Sequence, residues 1–270
     1  MKLEQKIGVI GNGFVGGAVE FGFSPNVGVD TEVRVYDKNP NKSTHTLEET
    51  VNKSDFIFLS VPTPANEDGS INIDILEGAL NDINKVHEGR SNSILIRSTV
   101  VPGTTWALQE KFPNLNLLFN PEFLTERSAN FDFINQSRFI IGSGDSDKSA
   151  LGSELFSQLI RDRFGDCVSI METNYETAEM IKYMNNCFFA TKVSFMNEFK
   201  ILANKLGVDW ETAVWGFASD HRLGDSHLDV PGPDGKLGFG GTCFPKDINA
   251  FITLAKKNNI NMNTLEAAWK

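Results

Sequence analysis

The segment Gly11-Asn12-Gly13-Phe14-Val15-Gly16 constrains the fold more than any other feature of the sequence. It follows a short apolar run, 6–10, and precedes a helical pattern, which is the setting of a phosphate-binding turn in a dinucleotide-binding domain. Gly11 permits the tight turn, Gly13 lets the backbone approach a pyrophosphate, and Gly16 lets the helix pack closely on the strand. A helix that begins there offers unbonded N–H groups to phosphates.

An acidic residue at the expected distance supports this interpretation. Asp37 ends the second apolar run, about 20 residues after the turn, where a carboxylate accepts the ribose hydroxyls and repels the 2′-phosphate of NADP. The alternative is a glycine-rich turn beside a surface aspartate, and the strand, the spacing and the acid together make it much the weaker interpretation. The sequence therefore predicts an NAD site.

Short apolar runs in the first half alternate with helical patterns and predict the buried strands of a parallel sheet. The runs are 6–10, 33–36, 56–61, 94–96, 115–119 and 139–141, and helices are expected at 73–86, with Asn72 as cap, and at 145–163. Later helices are expected at 174–206, 209–218 and 245–257, with another beginning near Asn263. We expect a Rossmann-type doubly wound parallel sheet in residues 1–166, followed by an all-helical domain in residues 167–270.

Composition excludes several classes of partner. The net charge of −10 argues against nucleic acid and anionic membranes, and we find neither a signal peptide nor an apolar run long enough to span a bilayer. The odd number of widely spaced cysteines favours a reducing compartment, so we expect a cytoplasmic protein. His221 and His227 have no cysteine or acid partner at zinc-like spacing, and no metal site is predicted.

Three polar loops follow predicted strands at the edge where such sheets bind ligands. They are Ser60-Val-Pro-Thr-Pro64, Ser98-Thr-Val100 and Asn120-Pro-Glu-Phe-Leu-Thr-Glu126. Each by itself is also compatible with a plain turn or loop. Lys182 and Asn186 share a face of the long predicted helix, although a solvated polar stripe would explain that spacing equally well.

The segment from Gly238 to Asp247 is the most informative part of the second half. Pro245 suits the first position of a helix, which places Cys243 at or just before the helix N-terminus. There the helix dipole and Lys246 would lower the thiol pKa, and Asp247 would share its side of the helix. A small buried cysteine after a turn is the alternative. Cys167 and Cys187 have apolar neighbours and are expected in the core, Cys167 in a strand and Cys187 in a helix.

The chain resembles the UDP-glucose/GDP-mannose dehydrogenase family. The motifs GNGFVG, SVPTP, STVVPGT, NPEFLTE, AEMIKYMNN, Arg222-Leu-Gly224 and GFGGTCFPKD occur in the family's order. The resemblance implies that two successive hydride transfers to NAD oxidise the primary alcohol of a nucleotide sugar to a carboxylate, through a cysteine thioester that is then hydrolysed. It implies UDP-glucose as substrate, because the Arg222 context and residues 132–142 look more like that branch, and a role in polysaccharide biosynthesis.

The same resemblance implies roles for individual residues. Cys243 resembles the nucleophile, and Lys182 and Asp247 resemble the pair that handles the proton and stabilises the oxyanion, with Asn186 assisting. Glu122 resembles the acid that activates the hydrolytic water, and Thr99 a residue that holds it. The expected cofactor contacts are Gly11, Gly13, Phe14, Val15, Gly16, Asp37, Lys38, Val61, Pro62, Thr63, Ser98, Thr99, Glu126 and Lys246. The expected substrate contacts are Phe123, Leu124, Phe239, Gly240 and Arg222, the last reaching over from the partner subunit of a homodimer.

The chain departs from the family pattern in length. Family members continue through a central helix, here near Asn263, into a second Rossmann-like domain that binds much of the nucleotide, and this chain is expected to lack that domain. A second hypothesis is therefore an NAD-binding module without independent turnover. A third, a simple hydroxyacid dehydrogenase, fits the first half but leaves Cys243 unexplained.

Overall fold

The computed structural model describes residues 1–220 and 222–270, which form seven strands and ten α-helices. The strands are β1 Ile7–Ile10, β2 Val33–Tyr36, β3 Phe56–Leu59, β4 Ser93–Ile96, β5 Leu117–Phe119, β6 Arg138–Ser143 and β7 Ser169–Asn174. The helices are α1 Phe14–Gly22, α2 Leu47–Asn52, α3 Asp74–Val86, α4 Thr104–Lys111, α5 Ala129–Ile134, α6 Asp147–Phe164, α7 Tyr175–Leu206, α8 Trp210–Ala218, α9 Phe244–Lys257 and α10 Asn263–Trp269. Among the described residues, no helix combines the length and apolarity needed to span a membrane.

The strands form one sheet in the order β2-β1-β3-β4-β5-β6-β7. Strands β5 and β6 are antiparallel, and the other neighbours are parallel. The chain runs from β1 to β2 on one side and returns to β3 on the other, so the strand order reverses between β1 and β3. Ligands of open α/β sheets bind outside the carboxyl ends of the strands at such a reversal.

Alternate residues of the central strands pack into two cores, one on each face of the sheet. Phe58 and Leu95 belong to the core that includes residues of α1, α5 and α6. Ile57 and Ile94 belong to the core that includes residues of α2, α3 and α4. Because both faces are covered, these strands appear in the sequence as continuous apolar runs. The doubly wound α/β fold predicted from the sequence is therefore confirmed.

The chain divides into two compact units. The sheet unit comprises Met1–Pro64 and Asn72–Lys182, and the helical unit comprises Ala65–Ile71 and Tyr183–Lys270. Helix α7 begins in the sheet unit and ends in the helical unit. This division comes later in the chain than the predicted boundary at residue 166, because β7 extends the sheet beside β6.

Helix α7 buries polar as well as apolar residues. Its buried apolar residues include Tyr175, Ala178, Tyr183, Cys187 and Ala190. Its buried polar residues are Glu179, Lys182, Asn186 and Asn197. Buried polar side chains are nearly always hydrogen-bonded, so each of these four calls for a specific partner.

The helical unit has its own small apolar core. Met196 of α7 packs there with Leu228 and Val230, and Trp210 and Val214 of α8 lie against them. Helix α10 packs on α9. These contacts confirm the helical second half, and the helix predicted near Asn263 begins at that residue.

The structure corrects three details of the sequence interpretation. Strand β7 was not among the predicted apolar runs, because it is an edge strand with mostly exposed and polar residues, and it begins two residues after Cys167, where a strand was expected. Cys167 is exposed in a turn after Gly165, so its predicted core position is wrong. Asn72 lies one residue before the α3 cap, although its Oδ1 accepts the Asp74 N–H at 2.9 Å.

Candidate active site

The turn between β1 and α1 has the backbone that its glycines predict. Gly11 has a φ of +87°, and a Cβ there would lie 2.4 Å from the Ser60 carbonyl oxygen. A Cβ on Gly16 would lie 2.0 Å from the Gly11 carbonyl oxygen. Neither position therefore accommodates a side chain without a backbone shift. A Cβ on Gly13 would have no described atom within 4 Å, so the turn leaves space for a ligand there.

Asp37 follows β2, and two backbone donors fix its carboxylate. The Asn12 N–H donates to Oδ2 at 2.7 Å, and the Asn39 N–H donates to Oδ1 at 2.8 Å. The Asn12 side-chain amide also donates to Glu20 Oε2 at 3.0 Å and to the Lys42 carbonyl oxygen at 3.1 Å. The glycine turn, α1 and the segment after β2 are thus joined. Each carboxylate oxygen of Asp37 retains acceptor capacity for a ribose hydroxyl.

The loops after β3 and β4 are held together by hydrogen bonds. The Val61 N–H donates to Ser98 Oγ at 3.1 Å, and Ser98 Oγ donates to the Val61 carbonyl oxygen at 2.7 Å. Thr63 Oγ1 donates to the Thr99 carbonyl oxygen at 2.9 Å. The structure therefore joins Val61, Thr63, Ser98 and Thr99, which the sequence had placed at one sheet edge. Pro62, between Val61 and Thr63, is exposed.

These features fit a bound NAD dinucleotide. The first turn of α1, which begins with Phe14 and Val15, presents backbone N–H groups beside the space at Gly13. The fixed carboxylate of Asp37 suits a ribose and disfavours a 2′-phosphate, and the exposed Lys38 follows it directly. Among residues 1–220 and 222–270, no three His, Cys, Asp or Glu side chains are grouped so as to hold a metal ion. His227 is among these residues, whereas His221 lies outside them.

A buried ion pair joins Glu122, after β5, to Lys182 on α7. Lys182 Nζ donates to Glu122 Oε1 at 2.9 Å and to the Glu122 carbonyl oxygen at 2.5 Å. The Leu124 N–H donates to Glu122 Oε2 at 2.7 Å. Burial by itself would raise the pKa of the Glu122 carboxyl, but Lys182, the Leu124 N–H and the charge of Arg97 hold that pKa below its usual range. The site thus keeps an ionised carboxylate in a buried position.

The rest of the loop after β5 surrounds this pair. The Phe123 ring lies 5.4 Å from Lys182 Nζ and 4.5 Å from the Arg138 guanidinium. Phe123 and Leu124 also line a cavity of about 300 Å³ beside α5. Both are residues that the sequence predicted as substrate contacts. Glu126, predicted near the cofactor, is exposed at the start of a short turn of 3-10 helix.

In the helical unit, Asp247 is buried in the first turn of α9. Asn186 Nδ2 donates to Asp247 Oδ2 at 2.6 Å, and Lys246 Nζ donates to Asp247 Oδ1 at 2.5 Å. The Asp247 N–H donates to the Cys243 carbonyl oxygen at 2.9 Å. Lys182 and Asp247, which the sequence had considered as a pair, therefore each have a close partner of opposite charge within their own unit.

Cys243 occupies the N-cap position of α9, as predicted, and is half-buried. Thr242 Oγ1 lies 3.7 Å from its Sγ. Pro245 is the second residue of the helix rather than the first, because the helix begins at Phe244. Cys187 differs sharply from Cys243: it is buried, and burial, with a smaller contribution from Asp247, raises the pKa of its thiol to about 12. Cys187 is therefore a poor nucleophile, and its predicted core position is confirmed.

The loop before α9 contains the remaining predicted substrate residues. Gly238 and Gly241 have φ values of +81° and +78°. Between them, Gly240 is exposed, and the half-buried Phe239 ring lies 6.3 Å from the Trp269 ring.

Arg222 extends from an exposed part of the helical unit. Its side chain is 88% exposed, and its Nη2 and Nε donate to Asp220 Oδ2 and Oδ1 at 2.5 and 2.9 Å. Lys192 of α7 holds the following residues, since its Nζ donates to the carbonyl oxygens of Leu223 at 3.3 Å and Gly224 at 3.0 Å.

Two buried charged residues beside the candidate site were missed in the sequence. Arg97, after β4, is 2% exposed, and its Nη1 donates to Asn120 Oδ1 at 2.5 Å. Burial lowers the pKa of Arg97 to about 10, against the opposing charge of Glu122. Glu179 lies three residues before Lys182 on α7 and is fully buried. The sequence did contain signals for both residues. Arg97 is a cation directly after a buried strand, and Glu179 is an acid within the buried stripe of a helix.

Two family models together match most of the chain. Residues 30–160 match the UDP-glucose/GDP-mannose dehydrogenase family, NAD binding domain, and residues 176–270 match the central domain of the same family. The UDP-glucose 6-dehydrogenase YwqF of Bacillus subtilis is 35% identical over 226 residues, which are 81% of this chain and 48% of that protein. The chain spans about half the length of the curated relatives it matches.

Solved structures agree with this relationship. A UDP-glucose dehydrogenase from the archaeon Pyrobaculum islandicum superimposes with a TM-score of 0.81 at 30% identity, covering 98% of this chain and 67% of that one. A UDP-D-ManNAc dehydrogenase from Pyrococcus horikoshii superimposes with a TM-score of 0.76 at 25% identity, covering 100% of this chain and 67% of that one.

Proposed function

The chain belongs to the UDP-glucose/GDP-mannose dehydrogenase family, and from this premise we propose that it catalyses the four-electron oxidation of a nucleotide sugar to its carboxylate. UDP-glucose, converted to UDP-glucuronate, is the proposed substrate. The observation that carries the proposal is the position of Cys243 at the N-cap of α9, one turn before the buried Asp247. A plain alcohol dehydrogenase would have no use for a cysteine placed in this way.

The first oxidation converts the primary alcohol to an aldehyde. NAD, when bound, accepts one hydride in each of the two oxidations. The residues proposed to hold it are those of the glycine turn, Asp37, the loops after β3 and β4, Glu126 and Lys246. Lys182 and Asp247, assisted by Asn186, take up the hydroxyl proton and stabilise the alkoxide, because a fixed positive charge acts where negative charge develops.

The second oxidation requires a covalent bond to Cys243. The thiolate adds to the aldehyde carbon, and the resulting oxyanion takes up a proton to give a thiohemiacetal. Loss of the second hydride and of the hydroxyl proton converts the thiohemiacetal to a thioester. Water activated by Glu122, and held by Thr99, then adds to the thioester carbon. The carbon–sulfur bond breaks, which releases the carboxylate product and regenerates the thiolate.

Substrate contacts are proposed for Phe123, Leu124, Phe239, Gly240 and Arg222. The high exposure of Arg222 suits a residue that reaches a neighbouring subunit. A homodimer is also supported by an apolar stripe on the outer side of α7, whose exposed members are Met184, Phe188, Phe195, Phe199, Leu202 and Leu206. Light scattering is expected to give twice the mass of one chain, and replacing Phe195 and Phe199 by Glu is expected to reduce it to that of a monomer.

Measurement of NADH absorbance tests the proposed reaction. The purified chain, mixed with NAD and UDP-glucose, is expected to form two NADH per sugar consumed, and GDP-mannose and UDP-ManNAc serve as comparison substrates. The Cys243→Ala variant is expected to bind NAD and to form no carboxylate. Cys167→Ala is the matched control, because Cys167 is exposed and lies in the sheet unit. Full turnover by Cys243→Ala would contradict the mechanism, and NAD binding without turnover on any sugar would favour the binding-module hypothesis.

A further inference from the structure

Glu179 is a buried carboxylate that the proposed reaction does not use. It lies on α7 and is 0% exposed. Its Oε2 accepts the Gly103 N–H at 2.7 Å, and its Oε1 accepts the Thr105 N–H at 2.8 Å. Both donors are more than seventy residues away in sequence. The two bonds therefore attach α7 to the start of α4.

The N-terminus of α4 depends on this carboxylate. The first N–H groups of a helix have no partner within the helix, and a side chain at the N-cap usually accepts one of them. Here the N-cap is Gly103, whose φ is +93° and which has no side chain to accept a hydrogen bond. Glu179 supplies the acceptors from another helix. Its negative charge also suits the positive end of the α4 dipole.

The attachment lies at the junction of two functional loops. The segment that ends at Gly103 begins with Ser98 and Thr99, which are bonded to Val61 and Thr63 of the preceding loop. Hydrogen bonds thus extend from the loop after β3, through the loop after β4, to Glu179. One helical turn further along α7, Lys182 holds the loop after β5 through Glu122.

The function of Glu179 is to hold loops in position, and not only to stabilise the fold. Burial raises the pKa of its carboxyl to about 7, although the bonds from Thr105 and Gly103 oppose the shift. Among the described residues, no cation forms a salt bridge with it. A buried carboxylate without a cation is a weak way to stabilise a fold. The two hydrogen bonds of Glu179 instead fix the distance between the loops after β3 and β4 and helix α7, which carries Lys182.

We propose that Glu179 is a positioning residue that fixes the loop 98–105 against α7, and so aligns the NAD site with Lys182. The expected effect on catalysis rests on the proposed function. The expected effect on NAD affinity requires only that the chain binds NAD. Losing two charge-assisted hydrogen bonds lets the loop move, and displacements of this kind weaken binding and slow the reaction together.

Three variants test the proposal. Glu179→Ala removes both acceptors, Glu179→Gln keeps one oxygen, and Glu176→Gln is the matched control, because Glu176 is exposed and lies one turn earlier on α7. The measurements are the Kd for NAD by calorimetry, kcat and KM for UDP-glucose, and the melting temperature. At a temperature where all variants are folded, Glu179→Ala is expected to raise the Kd about tenfold and to lower kcat about tenfold. Glu179→Gln should lie between Glu179→Ala and the wild type, and Glu176→Gln should match the wild type.

Two results distinguish the inference from its alternatives. A Glu179→Gln variant with a lower melting temperature but wild-type Kd and kcat would overturn the proposal and leave only a structural cap. If the wild type forms no NADH with any sugar, the proposed function fails, and an increased Kd for NAD in Glu179→Gln would still support the positioning role. Because Glu179→Gln conserves shape, it serves even if Glu179→Ala does not fold.

Discussion

Glu122 and Glu179 are both buried carboxylates in the sheet unit, and their pKa values shift in opposite directions. The pKa of Glu122 falls below its usual range, whereas that of Glu179 rises to about 7. Burial opposes ionisation at both positions. The difference is that Lys182 lies 2.9 Å from the Glu122 carboxylate, whereas the Glu179 carboxylate accepts the N–H groups of Gly103 and Thr105 and, among the described residues, forms no salt bridge.

The comparison shows that a nearby cation, and not the depth of burial, determines which carboxylate stays ionised. It also assigns the two acids different tasks. An ionised Glu122 can accept a proton from water, as the proposed hydrolysis requires. Glu179 accepts hydrogen bonds from the backbone and holds a loop. Helix α7 positions both acids: Glu179 is one of its residues, and Lys182, one turn later, binds Glu122.

The largest expected effect comes from removing the cation. Lys182→Met leaves Glu122 buried without its counter-ion, and breaking such a pair costs about 3–5 kcal/mol. In the variant the folded pKa of Glu122 would rise above its unfolded value, so the loss should be smaller near pH 5 than near pH 8, where it reaches its full size. Urea unfolding at both pH values measures it. The Lys182→Met/Glu122→Gln double variant should recover much of the loss, and an equal loss at both pH values would refute this explanation.

A second prediction concerns the raised pKa of Glu179. Because the folded protein holds a proton on Glu179 more tightly than the unfolded chain does, the associated stability is fully present below the unfolded pKa and is lost as pH rises to about 7. The free energy of unfolding of the wild type, relative to Glu179→Gln, should therefore fall by up to about 3 kcal/mol between pH 4.5 and 7.5. Denaturant titrations of both proteins across this range test the trend. A difference that is constant with pH would contradict it.

A third prediction concerns Glu122 and has the opposite sign. Its folded pKa lies below its unfolded value, so the stability that ionised Glu122 contributes is present at neutral pH and is lost as pH falls through the folded pKa. Relative to Glu122→Gln, the wild type should be more stable at pH 7 by about 1–3 kcal/mol. This advantage should shrink in acid. Parallel melting curves at pH 7 and pH 4 measure it, and an advantage that grew in acid would contradict the assignment.

The sequence predicted the NAD-binding residues at the sheet edge better than it predicted the contacts of the buried charged residues. The glycine turn and Asp37 are specified locally, since spacing along one strand–turn–helix segment fixes their geometry. The partners of Lys182 and Glu179 lie sixty or more residues away. Helical periodicity places both side chains on one stripe of α7 but does not identify what they meet. The same pattern would describe a solvated polar stripe, and only the tertiary fold distinguishes the two.

The smallest expected effect concerns an exposed acid in the loop that contains Glu122. Glu126 lies in the same loop as Glu122, but it is exposed. Water therefore replaces any interaction that the Glu126→Gln variant loses. Glu126→Gln should change the free energy of unfolding by less than about 0.5 kcal/mol. If Glu126 contacts NAD as proposed, the variant should instead raise the Kd for NAD without a change in melting temperature. A larger loss of stability in Glu126→Gln would contradict this expectation.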